Sequence, residues 1–151
     1  MIVHVYGEPA GQTVTDRWGG GQMLFHRALA EAGYIVVSVD NRGTPSPKGA
    51  AWRKVIYGSV GDLASKEQAA AVRALTARYR FLDASRVGVW GWSGGGSNTL
   101  NAMFRFADVY ARGYGIHFRH HNTGQGWDLY AEEGRKAIEG EAALGQGLTE
   151  L

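Results

Sequence analysis

The sequence predicts an α/β fold, a parallel sheet with helices on both faces. Short, β-branched, largely apolar runs recur at residues 2–6 (IVHVY), 34–40 (YIVVSVD) and 86–92 (RVGVWGW), as strands buried on both faces should read. Segments with helical spacing separate them. Strand, helix, strand, helix, strand is the order that a parallel sheet with crossover connections produces.

Each element has its own warrant. Between the first two strands, GQMLFHRALAEAG (21–33) carries Met23, Leu24, Ala28 and Ala32 on helical spacing, and Gly33 reads as its stop. Between the second and third, DLASKEQAAAVRALTARY (62–79) starts at Asp62, a candidate N-cap, with Leu63, Ala70, Ala74 and Ala77 along one face. After the third strand, SNTLNAMFRF (97–106) reads as a helix. In such sheets, sites form beyond the carboxyl ends of the strands. Three loops converge there: GEPAG (7–11), NRGTPSPKG (41–49) and SGGGS (93–97).

Composition bounds the function. With 151 residues, 44% hydrophobic and 20% charged, the chain fits one globular domain. A net charge of +2 gives no electrostatic case for a nucleic-acid partner. The absence of cysteine excludes disulfides, zinc–thiolate sites and a cysteine nucleophile. The opening MIVHVYGEPAG lacks the basic start and the apolar length of a signal peptide, and no run of 18 apolar residues is present to span a membrane.

The pattern divides the chain at residue 110. Residues 111–151 hold eight glycines and no strand-like run, and are expected to form a weakly structured tail. Within it, only 128–144 could form a helix, weakened by Gly134 and Gly140 at about 1 kcal/mol each. His117 and His121 lie four apart, the spacing of two metal ligands on a helix. No carboxylate or cysteine completes that set nearby, so a solvated basic turn is the favoured reading and no cofactor is expected.

Gly91-Trp92-Ser93-Gly94-Gly95 carries the chemistry. It matches G-x-S-x-G, in which a serine occupies a strained strand-to-helix turn that lifts its hydroxyl clear of the sheet. The flanking glycines are needed where a Cβ would collide with neighbouring backbone. The following helix aims its first N–H groups at a developing oxyanion, with the Gly94 amide as the natural donor. Two other readings compete. One is a glycine-rich turn whose serine merely caps the helix. The other is a phosphate loop, for which neither Gly-Lys-Ser/Thr nor G-x-G-x-x-G is present.

Four stretches together resemble the catalytic domain of the prolyl oligopeptidase family of serine peptidases, dipeptidyl peptidase IV branch. They are VHVYGEPAGQTV (3–14), VDNRGTPSPKGAAWRKVIYG (39–58), DASRVGVWGWSGGG (83–96) and TLNAMFRFADVY (99–110). The resemblance implies part of an α/β-hydrolase fold over residues 1–110, with strands in the spatial order two, one, three. It implies peptidase activity that releases dipeptides from peptide N-termini, often after proline. It further implies that Ser93 is the nucleophile, with the Tyr6 hydroxyl and the Gly94 amide as oxyanion donors. Tyr6 ends the first strand on the edge where Ser93 emerges, and a phenol can donate there; an aromatic packed at a strand end is the plainer alternative. Arg42 is expected to pin its loop through backbone carbonyls rather than to meet an acidic substrate group. Trp92 is expected to pack under the turn.

Departures from the family pattern bear on mechanism. Residue 94 is Gly where many relatives carry a tyrosine that walls the proline pocket, Ala107 replaces the proline of F-P-D, and the motif likeness stops at Tyr110. In this fold the acid and then the histidine follow the serine, each after a further strand. Asp40 precedes the serine, which argues against it as the acid. Asp108, Asp128 and the tail glutamates are candidate acids, and His117, His120 and His121 candidate bases; His4 and His26 precede the serine. Neither partner is assigned. The expectation is therefore a truncated peptidase domain without a complete triad, whose propeller and C-terminal lobe are missing. A free-standing small serine hydrolase or esterase, or a catalytically inert α/β binding module, is the alternative. A peptide substrate, a homodimeric whole and a periplasmic or secreted setting follow from the resemblance alone.

Overall fold

The computed structural model describes residues 1–110 and the backbone of 112–113. The expectations for His117, His120, His121, Asp128 and the helix at 128–144 lie outside the described residues. Four strands form one parallel sheet: β1 (Ile2–His4), β2 (Val36–Ser38), β3 (Gly88–Trp90) and β4 (Arg112–Gly113). Their spatial order is β2-β1-β3-β4, which contains the expected two, one, three. Val3 lies opposite Val37 and Val89, and His4 opposite Ser38 and Trp90. The short β4 was not legible as a strand; Arg112 pairs with Gly88 and Gly113 with Val89.

The pleat sorts side chains to two faces. Val3, Val5, Val87 and Val89 join Ala69, Val72, Ala102, Val109 and Tyr110 in the buried core. Burying each such valine contributes roughly 1.5–3 kcal/mol. That face is covered by α3 (Asp62–Arg78) and α4 (Gly94–Arg105). On the other face, α1 (Gly20–Glu31) lays Phe25 and His26 against Trp90, with the His26 ring also tilted against that of His4 at 4.8 Å between centroids. Helices thus cover both faces, as the pattern predicted.

The helix boundaries agree with the sequence better than the helix faces do. Helix α1 ends in a Schellman turn at Gly33: the Tyr34 amide donates to the Leu29 carbonyl and the Gly33 amide to that of Ala30, both at 3.0 Å. Yet Met23 and Leu24 are about half exposed, and the contact to the sheet is made by His26 and Phe25. Helix α3 spans nearly the predicted range but buries Ala64, Ser65, Gln68, Ala69 and Val72; Ala70, Ala74 and Ala77 face outward. Alanine is tolerated on either face, so its spacing carried little information there. Asp62 is not the N-cap. It is the first helical residue, and its carboxylate accepts from Lys66 and Arg105, both at 2.8 Å. Helix α4 starts immediately after Ser93, earlier than the apolar pattern suggested. A further helix, α2 (Gly49–Lys54), begins at the last residue of the 41–49 loop and runs through a stretch to which no element was assigned; six residues are too few for a periodicity to show.

Candidate active site

Ser93 leaves β3 and enters α4 with φ 56° and ψ −118°, the one non-glycine residue at positive φ among the described residues. That conformation costs a β-carbon-bearing residue about 1–3 kcal/mol and persists only where the surroundings impose it. They do so here. A Cβ on Gly91 would come within 2.5 Å of the Val5 carbonyl oxygen, and one on Gly95 would overlap the same oxygen. Side chains at these two positions would force β1 and the turn apart.

The Ser93 side chain makes no capping hydrogen bond to α4, which removes the reading of a serine that merely caps a helix. The amides of Gly95, Gly96 and Ser97 are already engaged, by the carbonyls of Trp92, Ser93 and Ser93. The Gly94 amide makes no hydrogen bond among the described residues. An unengaged N–H at the start of a twelve-residue helix, next to a serine held out of the sheet, can receive negative charge.

Tyr6 lies just past β1, with its Cα beside Gly95 and its ring against the backbone of Gly11. Several polar contacts hold the segment that carries it. Asp40 accepts from the Thr13 amide (2.8 Å), the Thr13 hydroxyl (2.7 Å) and the Val14 amide (3.0 Å). Arg53 donates to the carbonyls of Pro9 (3.0 Å) and Gly43 (2.8 Å). The buried Asn41 amide donates to the Gly7 carbonyl at 3.0 Å, while its own carbonyl oxygen accepts from Gln68 at 3.1 Å. Gly7, at φ 78°, packs on the buried Asn98 amide, whose oxygen accepts from Ser65 at 3.3 Å. The polar residues that α3 and α4 bury thus form the floor beneath the loop that presents Tyr6.

Other expected residues fall into different roles. Arg42 does not pin carbonyls; it pairs with Glu67 on α3, and Arg53, which sequence reasoning missed, performs that task instead. Trp92 does not pack under the turn, being 61% exposed; Trp90, two residues earlier, is the packed indole. Asp108 pairs with Arg73 at 2.7 Å on an exposed surface, and that hydrogen bond holds its carboxyl below the usual range. His4 is buried on the α1 face between Ser38 (3.3 Å) and Gln22 (2.8 Å). Burial first, and the neighbouring His26 second, lower its pKa to about 4. Neither histidine is arranged as a base for Ser93.

No cluster of three or more metal-ligating side chains occurs among the described residues. None of the described helices is long and apolar enough to cross a membrane. A cavity of about 600 Å³ lies at the amino-terminal edge of the sheet, lined by Met1, Tyr34, Phe81 and Arg86 among others, away from Ser93.

Comparison with known proteins agrees with this fold. The prolyl oligopeptidase family model matches residues 24–137, extending past Tyr110, where the motif likeness ended. Human dipeptidyl peptidase 8 is 33% identical over 109 residues, covering 72% of this chain and 12% of that protein. A protein of Emericella nidulans named as a probable dipeptidyl-aminopeptidase B is 38% identical over 103 residues, covering 68% of this chain and 11% of its own length. The crystal structure of Porphyromonas gingivalis dipeptidyl peptidase 4 superposes with a TM-score of 0.66 at 38% identity, covering 74% of this chain and 15% of that one. The chain therefore spans only about an eighth of the length of the curated relatives it matches. It belongs to the prolyl oligopeptidase family, within the dipeptidyl peptidase IV-like branch, and comprises part of the catalytic domain.

Proposed function

We propose that residues 1–110 carry the acylation half of a serine peptidase site that releases dipeptides from peptide N-termini through a Ser93 acyl-enzyme. The observation that carries this reading is the strained Ser93 turn with the unengaged Gly94 amide beside it. Ser93 Oγ attacks the scissile carbonyl, and its proton passes to a base. The carbonyl oxygen becomes an oxyanion that accepts from the Gly94 amide and the Tyr6 hydroxyl; collapse expels the leaving amine, and water later releases the dipeptide. The base and its orienting acid are not among the described residues. A propeller, a C-terminal lobe, a homodimeric assembly and a periplasmic or secreted setting belong to the same proposal for the whole protein.

A chimera tests it. Residues 1–110 replace the corresponding segment of the Porphyromonas gingivalis enzyme, and hydrolysis of Ala-Pro and Ala-Ala anilides is measured. Ser93-dependent turnover is expected, with Ser93→Ala lowering it by about 10⁴-fold or more. A folded chimera without such turnover would refute the proposal. The 151-residue chain assayed by itself is expected to turn over little, because an unassisted serine hydroxyl is a weak nucleophile.

A further inference from the structure

The space above Gly94 is taken by Glu8. A Cβ on residue 94 would overlap Glu8 Oε2 and would lie 2.7 Å from Cδ and 3.2 Å from Cγ. The carboxyl group thus reaches from the loop after β1 to the residue adjoining Ser93, and it is half-buried there. Among the described residues no counter-charge acts on it. Among the described residues it makes no ion pair, whereas Glu31, Asp62, Glu67 and Asp108 are each paired with arginine or lysine. Arg53, which donates to the carbonyl of the adjoining Pro9, is committed to that carbonyl and to that of Gly43. Asp16 also has no partner, but it is exposed, where water stabilises it.

We propose that Glu8 is a specificity-determining residue of this site: its carboxylate, seated over Gly94 beside Ser93, receives an ammonium group carried by the residue whose carbonyl Ser93 attacks. The inference rests on the reading of Ser93 as the nucleophile. Gly94 and Glu8 act together. Without a side chain at 94 the carboxyl group can stand against the turn, and with the carboxyl there an uncharged aliphatic chain would leave a desolvated charge unpaired. Burial already pushes the Glu8 carboxyl above the ordinary carboxylate range, the direction expected of a group that lacks a cation. An incoming ammonium supplies that cation through a charge-assisted hydrogen bond. It comes from a lysine-like side chain, because the α-nitrogen of that residue lies in the peptide bond within the released dipeptide and carries no charge.

Three small amides test this when titrated into the 151-residue chain, with the Ser93 and Gly94 amide resonances as the readout. Norleucinamide carries an α-ammonium, Nα-acetyl-lysinamide a side-chain ammonium, and Nα-acetylnorleucinamide no cation. Nα-acetyl-lysinamide is expected to bind about tenfold more tightly than the neutral amide, whereas norleucinamide, whose only cation sits where the substrate has a peptide bond, is expected to show no such advantage. Glu8→Gln should abolish the advantage while leaving binding of the neutral amide intact. Gly94→Ala, which pushes the flexible carboxyl aside, should abolish it too. Equal affinities of Nα-acetyl-lysinamide and the neutral amide, an advantage confined to norleucinamide, or an advantage that survives Glu8→Gln, would overturn the inference. If the neutral amide still perturbs Ser93 and Gly94 in that case, the acylation site stands and only the role of Glu8 falls. If no amide perturbs either resonance, the inference falls together with the reading beneath it.

Discussion

The carbonyl oxygen of Val5 stands where a side chain on Gly95 would have to go, and Gly91 approaches the same oxygen from the strand side. Both glycines of the motif therefore converge on one backbone atom at the end of β1. The residue after Val5, just past β1, is Tyr6. The two missing side chains do more than permit a tight turn at Ser93. They bring the β3–α4 turn against the strand that delivers the proposed second oxyanion donor.

Gly95→Ala and Gly91→Ala should each destabilise the fold by about 3 kcal/mol, because the clash is with backbone that cannot move without parting β1 from the turn. Gly21→Ala is the control: it lies in α1 with open space around its Cβ position and should be neutral or stabilising by up to about 1 kcal/mol. Urea denaturation of the three variants checks the contrast. Equal effects at positions 21 and 95 would show that the close approach is unimportant.

Ser93→Gly should raise stability by about 1 kcal/mol. It relieves a positive φ that only glycine adopts cheaply, and no capping hydrogen bond is lost. The same change removes the nucleophile, so in the chimera the gain in denaturation midpoint should accompany complete loss of turnover. A destabilised Ser93→Gly would mean that the hydroxyl, rather than the turn, supports the fold.

Tyr6→Phe in the chimera should lower kcat by about 10² to 10³ and leave KM nearly unchanged, since the lost donor acts on the transition state. The ring, packed on Gly11, is retained. Retention of more than about half the parent kcat would reduce Tyr6 to a packing residue, with the second donor then to be sought elsewhere.

Acid should weaken the fold through His4. Its folded pKa, about 4, lies below the ordinary value of 6.5, so the native state holds the ring neutral. The stabilisation is complete above pH 6.5 and is lost as pH falls from there toward 4. The full loss is on the order of 3 kcal/mol. His4→Gln should flatten the dependence measured by chemical denaturation across that window. An unchanged slope would assign the acid sensitivity to another group.

Residues 86–96 show how far local sequence reaches. The β-branched run, the glycines at 91 and 95 and the serine between them are one contiguous constraint, so the turn and its geometry were legible without coordinates. The parallel sheet was legible for a similar reason: strands buried on both faces must be apolar along their whole length, and the crossovers must be long. The alanine spacing of α3 misled because a methyl group costs little on either side of a helix. The buried side carries Gln68, which donates to the Val39 carbonyl and the Asn41 side-chain oxygen, and Ser65, which donates to the Gly61 carbonyl at 2.7 Å and lies 3.3 Å from the Asn98 side-chain oxygen; the partners of Gln68 are remote in sequence.

By itself, then, the sequence determined the α/β class, the strand order expected from the family motifs, the Gly33 stop of α1 and the strained position of Ser93. Each of these is dictated by neighbours along the chain or by a motif that spans a few residues. Only the tertiary structure decided that Asp40 clamps the loop after β1, that Arg53 and not Arg42 ties that loop to its neighbour, and that Trp90 rather than Trp92 is packed. It also decided that Glu8 fills the place above Gly94. These outcomes join residues remote in sequence, or turn on which side of a strand end faces the core. Distance in space and direction of a side chain are fixed by packing, not by spacing along the chain.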